Sequence, residues 1–496
     1  MRTVINPQMM FGQIDISAIT FDPKSRDDIP KLLRGLQGIY TDIELRQRVF
    51  AILEDVRPDR KNGTGKADMH NGRPGMEQWT ILVLGIIRLG LNIDYDRLQE
   101  LVNQHKNIRQ MIGLDGWYDK TTYELQTIKD NVQLFTPELL DRINQEVVRA
   151  GHALGKKKDQ TNELPLMARG DSFVVETNVH FPADTSQLYD AIRKVIELTA
   201  KLSNLQGRSQ WRQSRHVILS LKSDLRVVQK LIHAITRDPE KKEKANKAIK
   251  QAYLNYCGNV EYQLLRAKIT VDEIGKHNPL LSSKIRGYIT HAEIQLDQIH
   301  RRIFMNEKIP HGEKVFSVFE PHTEWVSKGK TGVPVELGLN VCIIQDQYQF
   351  ILHHHVMEKV TDSEIAVPIV KETKSRFRNL RAISFDKGFH SPDNQKALKE
   401  LVAVVVLPKK GNRSASDKAR ETTPEFKRLR KKHSAVESGI HALEVHGLDI
   451  CPDHGRDGFK RYVSLSVLAY NMHRYGALLL KQDMRRYRRR QQNRAA

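Results

Sequence analysis

The chain of 496 residues has little cysteine: Cys257, Cys342 and Cys451 are its only three. They lie far apart, form no CxxC pair and are odd in number, which excludes a disulfide framework and leaves a reducing cytoplasm as the natural setting. Apolar runs are short too, and none reaches the about 18 residues that could cross a bilayer. The opening stretch "MRTVINPQMMFGQIDIS" lacks the charged-then-apolar order of a secretory leader. There is no GxSxG and no cysteine in a recognisable catalytic setting, so serine and cysteine nucleophiles find no support. Acidic residues are outnumbered, 59 Asp and Glu against 80 Lys and Arg, for a net charge of +21. Such an excess suits a polyanionic partner, because each neutralised phosphate releases condensed counterions. Without basic amphipathic anchors or lipidation signals, that partner reads as nucleic acid and not a membrane.

What is present reads as two or three domains. Residues 1–165 look helical: "MEQWTILVLGIIRLGL" (76–91) is apolar on most faces, while "DYDRLQELVNQHKNIRQMIGL" (94–114) and "TPELLDRINQEVVRAG" (136–151) are amphipathic. Short helices with surface arginines suit a helix-turn-helix reader of DNA or an ordinary helical bundle. The polar "GKKKDQTNELP" (155–165) reads as a linker, and "DSFVVETNVHF" (171–181) as a strand stopped by Pro182. Residues 184–310 return to long helices. From 314 the expected order is strands "KVFSVF", "VELGLNVCIIQD" and "YQFILHHHVM", then helix, strand "LRAISFD", helix, strand "VAVVVLP", and a helix-rich end. With the helical block set aside, this is the order of a ribonuclease H-like α/β domain. The expected architecture is therefore a helical N-terminal region (1–165), a ribonuclease H-like catalytic domain (166–183 and 311–480), a helical insertion (184–310) and a basic tail (481–496). The tail, with seven basic residues against one acidic, reads as a phosphate-binding arm through Arg485, Arg486, Arg488, Arg489 and Arg490.

Phosphodiester chemistry in such a scaffold needs two or three carboxylates converging from distant segments on Mg²⁺, a hard cation that prefers oxygen ligands. Asp171 opens the expected first strand, and alternation puts Glu176 on the opposite face. Asp386 stands at the carboxyl end of "LRAISFD", where open α/β sheets place ligands, and Gly388 permits a tight turn. Glu437 lies beside an apolar stripe of Val436, Ile440 and Leu443 on an expected helix over 426–449. Arg430, Lys431, Lys432 and His433 around it suit an incoming phosphate backbone. His433, Glu437 and His441 recur at i, i+4 spacing, but the pattern departs from a zinc HExxH motif. The run His353-His354-His355 alternates faces on a strand and reads as surface or partly buried histidines.

Four blocks in order then resemble bacterial insertion-sequence transposases of the DDE type, in particular the ISNCY-like group. These are "GDSFVVETNVHFPADTSQLYDAIR", "SVFEPHTEWVSKGKTGVPVELGLNV", "SFDKGFHSPDN" and "HSAVESGIHALEVHGLDICPDHGRDGFKRYVSLSVLAYNMHRYG", the last with its Asn-x-x-x-x-Gly ending. The resemblance implies a catalytic and metal-binding triad of Asp171, Asp386 and Glu437, with Mg²⁺ or Mn²⁺ as cofactor. It implies a DNA transposase that binds the terminal inverted repeats, cleaves there by metal-assisted hydrolysis and joins the 3′-hydroxyl to target DNA. Lys328, Lys330 and Lys387 are further candidate DNA contacts. Where related groups carry Lys or Arg a helical turn after the Glu, this chain has His441 and Glu444, which puts contacts there in doubt. Implied partners are double-stranded DNA, at element ends and target, and a second copy in a synaptic dimer, in a bacterial cytoplasm at the nucleoid with no membrane. The competing readings are a catalytically inactive DNA-binding remnant and a ribonuclease H-like nuclease without strand transfer.

Overall fold

The computed structural model describes residues 2–58, 66, 68, 74–155, 165–234, 239–327 and 334–495, with side chains left out at 239–241 and 494–495. The chain divides into two compact units, Met1–Asn178 with Val326–Ala496, and Val179–Trp325.

The first unit opens with seven helices: α1 (Ile29–Thr41), α2 (Ile43–Leu53), α3 (Gln78–Gly90), α4 (Tyr95–Gln104), α5 (Lys106–Met111), α6 (Leu125–Val132) and α7 (Pro137–Gly155). Asp42 and Asp94 cap α2 and α4 by accepting from Leu45 N and Arg97 N, as short polar side chains do at helix starts. Every residue of α3 is buried, the fate of a helix that is apolar all round.

Strand β1 (Leu166–Thr177) follows, and the unit resumes after the second one with β2 (Glu324–Ser327), β3 (Val335–Gln345) and β4 (Ile351–Met357). Then come α12 (Asp362–Arg376), β5 (Leu380–Ser384), α13 (Pro392–Leu401), β6 (Val404–Val406), α14 (Ala415–Thr422), α15 (Pro424–His433), α16 (Ala435–Leu443), β7 (Ile450–Cys451) and α17 (Arg456–Ala495). Helices α8 to α11 belong to the second unit. The strands form one mixed sheet in the order β2-β3-β1-β5-β6, with β4 on β3 and β7 on β1. Strand β3 runs antiparallel to β1 and β4, while β5 is parallel to β1 and β6.

A single hydrophobic core runs from Ile16 through α3, the sheet and α17 to Leu479. Helices α1–α7 therefore share the core of the sheet, where the sequence suggested a region of their own. The Asn-x-x-x-x-Gly motif serves this packing. Asn471 donates to Asn144 Oδ1 (2.7 Å) and Ile351 O (2.8 Å) and accepts from Ile351 N. A Cβ on Gly476 would stand 1.8 Å from the carbonyl oxygen of Lys31, so the close approach of α1 and α17 there leaves no room for a side chain.

Several expectations are corrected. Strand β1 starts at Leu166, five residues before Asp171, and ends at Thr177. "KVFSVF" is not a strand, because Ser317 Oγ accepts from Phe319 N and Glu320 N and turns the backbone. The helix expected over 426–449 is two helices parted at Ser434, ended by a turn in which Gly447 takes φ +102°. The basic tail continues α17 and is helical to Ala495. The proposed linker at 155–165 lies mostly outside the described residues.

The second unit holds α8 (Asp184–Leu205), α9 (Ser214–His233), α10 (Pro239–Ile274) and α11 (Pro279–Ile303). Its own core includes Leu188, Ile192, Tyr256, Val260, Ile285 and Ile289. Tyr256 OH donates to Thr185 O (3.1 Å), and Trp211 Nε1 donates to Thr270 Oγ1 (3.1 Å).

In the first unit, Arg88 of α3 is buried against Asp453, Nη2 to Oδ1 at 2.7 Å, with its guanidinium 4.0 Å from the centre of the Tyr95 ring. Asp453→Ala strands that guanidinium, so urea denaturation should show a loss of about 3–5 kcal/mol.

Candidate active site

Strand β1 is the innermost element of the site. Its pairing with β3 is regular from Arg169 to Glu176, with Asp171 opposite Ile343. Unbroken alternation keeps Asp171 and Glu176 on opposite faces. In the parallel pairing with β5, Arg169 is level with Ser384. Asp171 and Asp386 each lie two residues beyond this last matched pair, Asp171 still within β1 and Asp386 just past the end of β5. Asp171 is partly buried, and Ser172 N donates to its Oδ1 (2.8 Å). Burial pushes its carboxyl up to about 6 against that hydrogen bond, and the charges of Asp386, Asp362 and Glu437 push the same way. Three acids from other segments thus act on Asp171.

Asp386 follows the buried end of β5, and its Oδ1 accepts from Gly388 N (2.7 Å), capping the turn Lys387–Phe389. Phe385 and Phe389 stack on either side of that turn, with ring centres 4.6 Å apart. Gly388 does not take a left-handed backbone, so the turn itself does not demand glycine. A Cβ there would sit 3.0 Å from Asp386 Oδ1 and 3.2 Å from Asp362 Oδ2, so the residue keeps clear the space that two carboxylates flank.

Asp362 is the first residue of α12. Ser172 Oγ donates to its Oδ1 at 2.6 Å. An aspartate in the first turn of a helix is common for reasons of the helix dipole alone, so the sequence carried no signal of its place here.

Glu437 is exposed in the first turn of α16, whose Val436, Ile440 and Leu443 are buried as the stripe indicated. A Cβ on Gly439 would lie 2.4 Å from the buried amide of Gln345, so glycine lets α16 settle on the end of β3. His433 turns inward at the end of α15, with its Nδ1 3.1 Å from Ser384 Oγ. Burial lowers its pKa, while Asp386 and Glu437 oppose that shift. It thus parts from Arg430, Lys431 and Lys432, which are exposed on α15. Arg169 ties the two layers, donating to Lys432 O (3.1 Å) and Asp346 O (2.9 Å).

Of the other candidates, Lys387 is exposed beside Asp386, and Arg485, Arg486, Arg488, Arg489 and Arg490 are exposed along α17. Lys328 and Lys330 lie outside the described residues. His441 is on α16 with His433 on α15, and His441 faces Glu444 at 3.8 Å. His353 meets Glu372 (2.9 Å), and His354 meets Ser464 Oγ (2.9 Å) and is pushed down to about 4 by burial. Among the described residues, no three His, Cys, Asp or Glu side chains are gathered closely enough to enclose a metal ion. The acids around Asp171 nonetheless suit a divalent cation in kind: their donors are hard carboxylate oxygens, and their mutual repulsion is what such an ion relieves. No helix among the described residues is long and apolar enough to cross a membrane.

Residues 313–472 match the family model of the transposase DDE domain. The match takes in Asp362, Asp386 and Glu437 and starts after Asp171. It supports a transposase of the DDE type and, in general terms, a transposase function. No curated protein and no solved structure matches the chain.

The raised Asp171 carboxyl has a thermodynamic signature. A carboxyl that titrates higher when folded than its ordinary 3.8 binds its proton more tightly in the native state. Stability should therefore fall as pH rises from about 4 to about 6, by on the order of 3 kcal/mol for this group. Urea denaturation at the two ends of that window should show the fall in the wild type and its absence in Asp171→Asn.

Proposed function

We propose that the chain is a DNA transposase in which Asp171, Asp386 and Glu437 form the catalytic triad on a ribonuclease H-like domain. The observation that carries this is the electrostatic influence of Asp386 and Glu437 on Asp171, three acids from distant segments, just beyond the last paired residues of β1 and β5. The match to the transposase DDE domain and the order β4-β3-β1-β5-β6, antiparallel on one side and parallel on the other, support the same reading.

In this reading the three carboxylates hold divalent cations, Mg²⁺ or Mn²⁺. When bound, such ions lower the pKa of water and stabilise the leaving oxygen of a phosphodiester. Asp171 supplies the partly buried ligand, and its high proton affinity comes first from burial, with the charges of Asp386, Asp362 and Glu437 adding to it. Gly388 N holds Asp386 in place, and Ser172 keeps Asp362 beside the site as a further negative charge. Arg430, Lys431 and Lys432, with Lys387, line the approach of the DNA backbone. Water attacks the phosphodiester at an inverted-repeat end, the P–O3′ bond breaks, and a 3′-hydroxyl is freed. That hydroxyl then attacks a target phosphodiester, forming a new P–O bond and releasing the target's own 3′-hydroxyl. No covalent enzyme intermediate is needed, since positioning and charge stabilisation carry phosphoryl transfer. The exposed arginines of α17 add phosphate contacts, and their contribution should appear as a steeper salt dependence of binding.

With DNA carrying the element's own ends, Asp386→Asn and Glu437→Gln should each lose at least about a thousandfold in cleavage and joining. Gel-shift affinity for the same DNA should stay within a few fold. Full cleavage by either variant would overturn the triad, and cleavage without joining in the wild type would favour a nuclease.

A further inference from the structure

Helix α10 is apolar on two opposite faces. One face, with Tyr253, Tyr256, Val260, Leu264, Ala267 and Val271, lies in the core of the second unit. The other presents Leu254, Tyr262, Leu265 and Ile269, which are 52%, 60%, 58% and 50% exposed. Gly258 completes this outward row, with nothing within 4 Å of where its Cβ would be. The spacing of four, four, three and four residues keeps the row on one face for about 22 Å of helix. The solvent side of a surface helix is ordinarily polar, so this stripe is built to be covered.

We propose that it pairs antiparallel with the same stripe of a second copy of this chain. The row is self-complementary about a two-fold axis between positions 261 and 262. That axis sets Leu254 against Ile269 of the partner subunit and Leu265 into the space left by Gly258 of the partner subunit, a knob facing a hole. In each chain Arg286 already pairs with Asp272 (2.8 Å), and on one flank of the helix Lys250 comes beside Asp272 of the partner subunit, so a chain of net charge +21 meets its copy there without like charges opposed. The four apolar side chains expose on the order of 400 Å² per copy, an apolar centre for an interface that needs about 800 Å² from each partner. Glu261 opposes the pairing, because its two copies meet near the axis on the solvated flank.

The proposal is independent of the chemistry assigned to the other unit, and sedimentation of the full-length, nuclease-treated protein at high salt tests it. The wild type should be a dimer. Leu265→Lys should weaken dimerisation at least about tenfold with an unchanged circular-dichroism spectrum, and Glu261→Gln should strengthen it. Mixing Leu254→Cys with Ile269→Cys under mild oxidation should yield cross-linked dimers beyond those of either variant alone or of the wild type with its Cys257. A monomeric wild type, as expected if the stripe covers another part of the same chain, would overturn the proposal. So would a dimer indifferent to Leu265→Lys, or Leu254→Cys linking to itself.

Discussion

The architecture around the candidate site depends on one electrostatic constraint: a carboxylate, Asp171, held partly buried on the central strand among three other acids. Such a group is costly to ionise, and its carboxyl is pushed up to about 6. The charges of Asp386, Asp362 and Glu437 add to that cost. The arrangement makes sense where a divalent cation restores the balance of charge, which is the chemistry a DDE transposase requires.

The surrounding structure holds this crowd in place with little latitude. The parallel pairing of β1 and β5 ends at Arg169 and Ser384, two residues short of Asp171 on one chain segment and of Asp386 on the other. The stacked pair Phe385 and Phe389 anchors the turn that carries Asp386, and Gly439 lets α16 bring Glu437 onto the end of β3. Behind them, Arg169 and His433 are internal supports joining α15 to the sheet. The nearby cations Arg430, Lys431 and Lys432 stay exposed. Repulsion inside and attraction outside are thus separated by a single turn at the end of α15.

The local settings of Asp386 and Glu437 were legible because each has a mark in the sequence: a strand end before a glycine turn, and an acid beside an apolar stripe on a basic helix. The strand that carries Asp171 was mis-set by five residues, since "LMARG" has too mixed a composition to announce a strand and gains its place by pairing with β5. Asp362 was invisible: its sequence context is that of any helix start, and only the hydrogen bond from Ser172 shows where it points. Gly388 was noticed for a turn and is required for the space between two carboxylates. The apolar strands β3, β4 and β5 and the all-apolar α3 followed from periodicity. The irregular path of "KVFSVF" did not, because a serine hydroxyl competing for backbone donors outweighs its β propensity.

The central claim is that Asp171 belongs to a divalent-cation site. Calorimetric titration of Mn²⁺ into the full-length protein tests it without any DNA. The account predicts binding at pH 7.5 that weakens markedly at pH 5, where Asp171 is protonated, and is lost in Asp171→Asn. Equal binding at both pH values, or undiminished binding by Asp171→Asn, would contradict it.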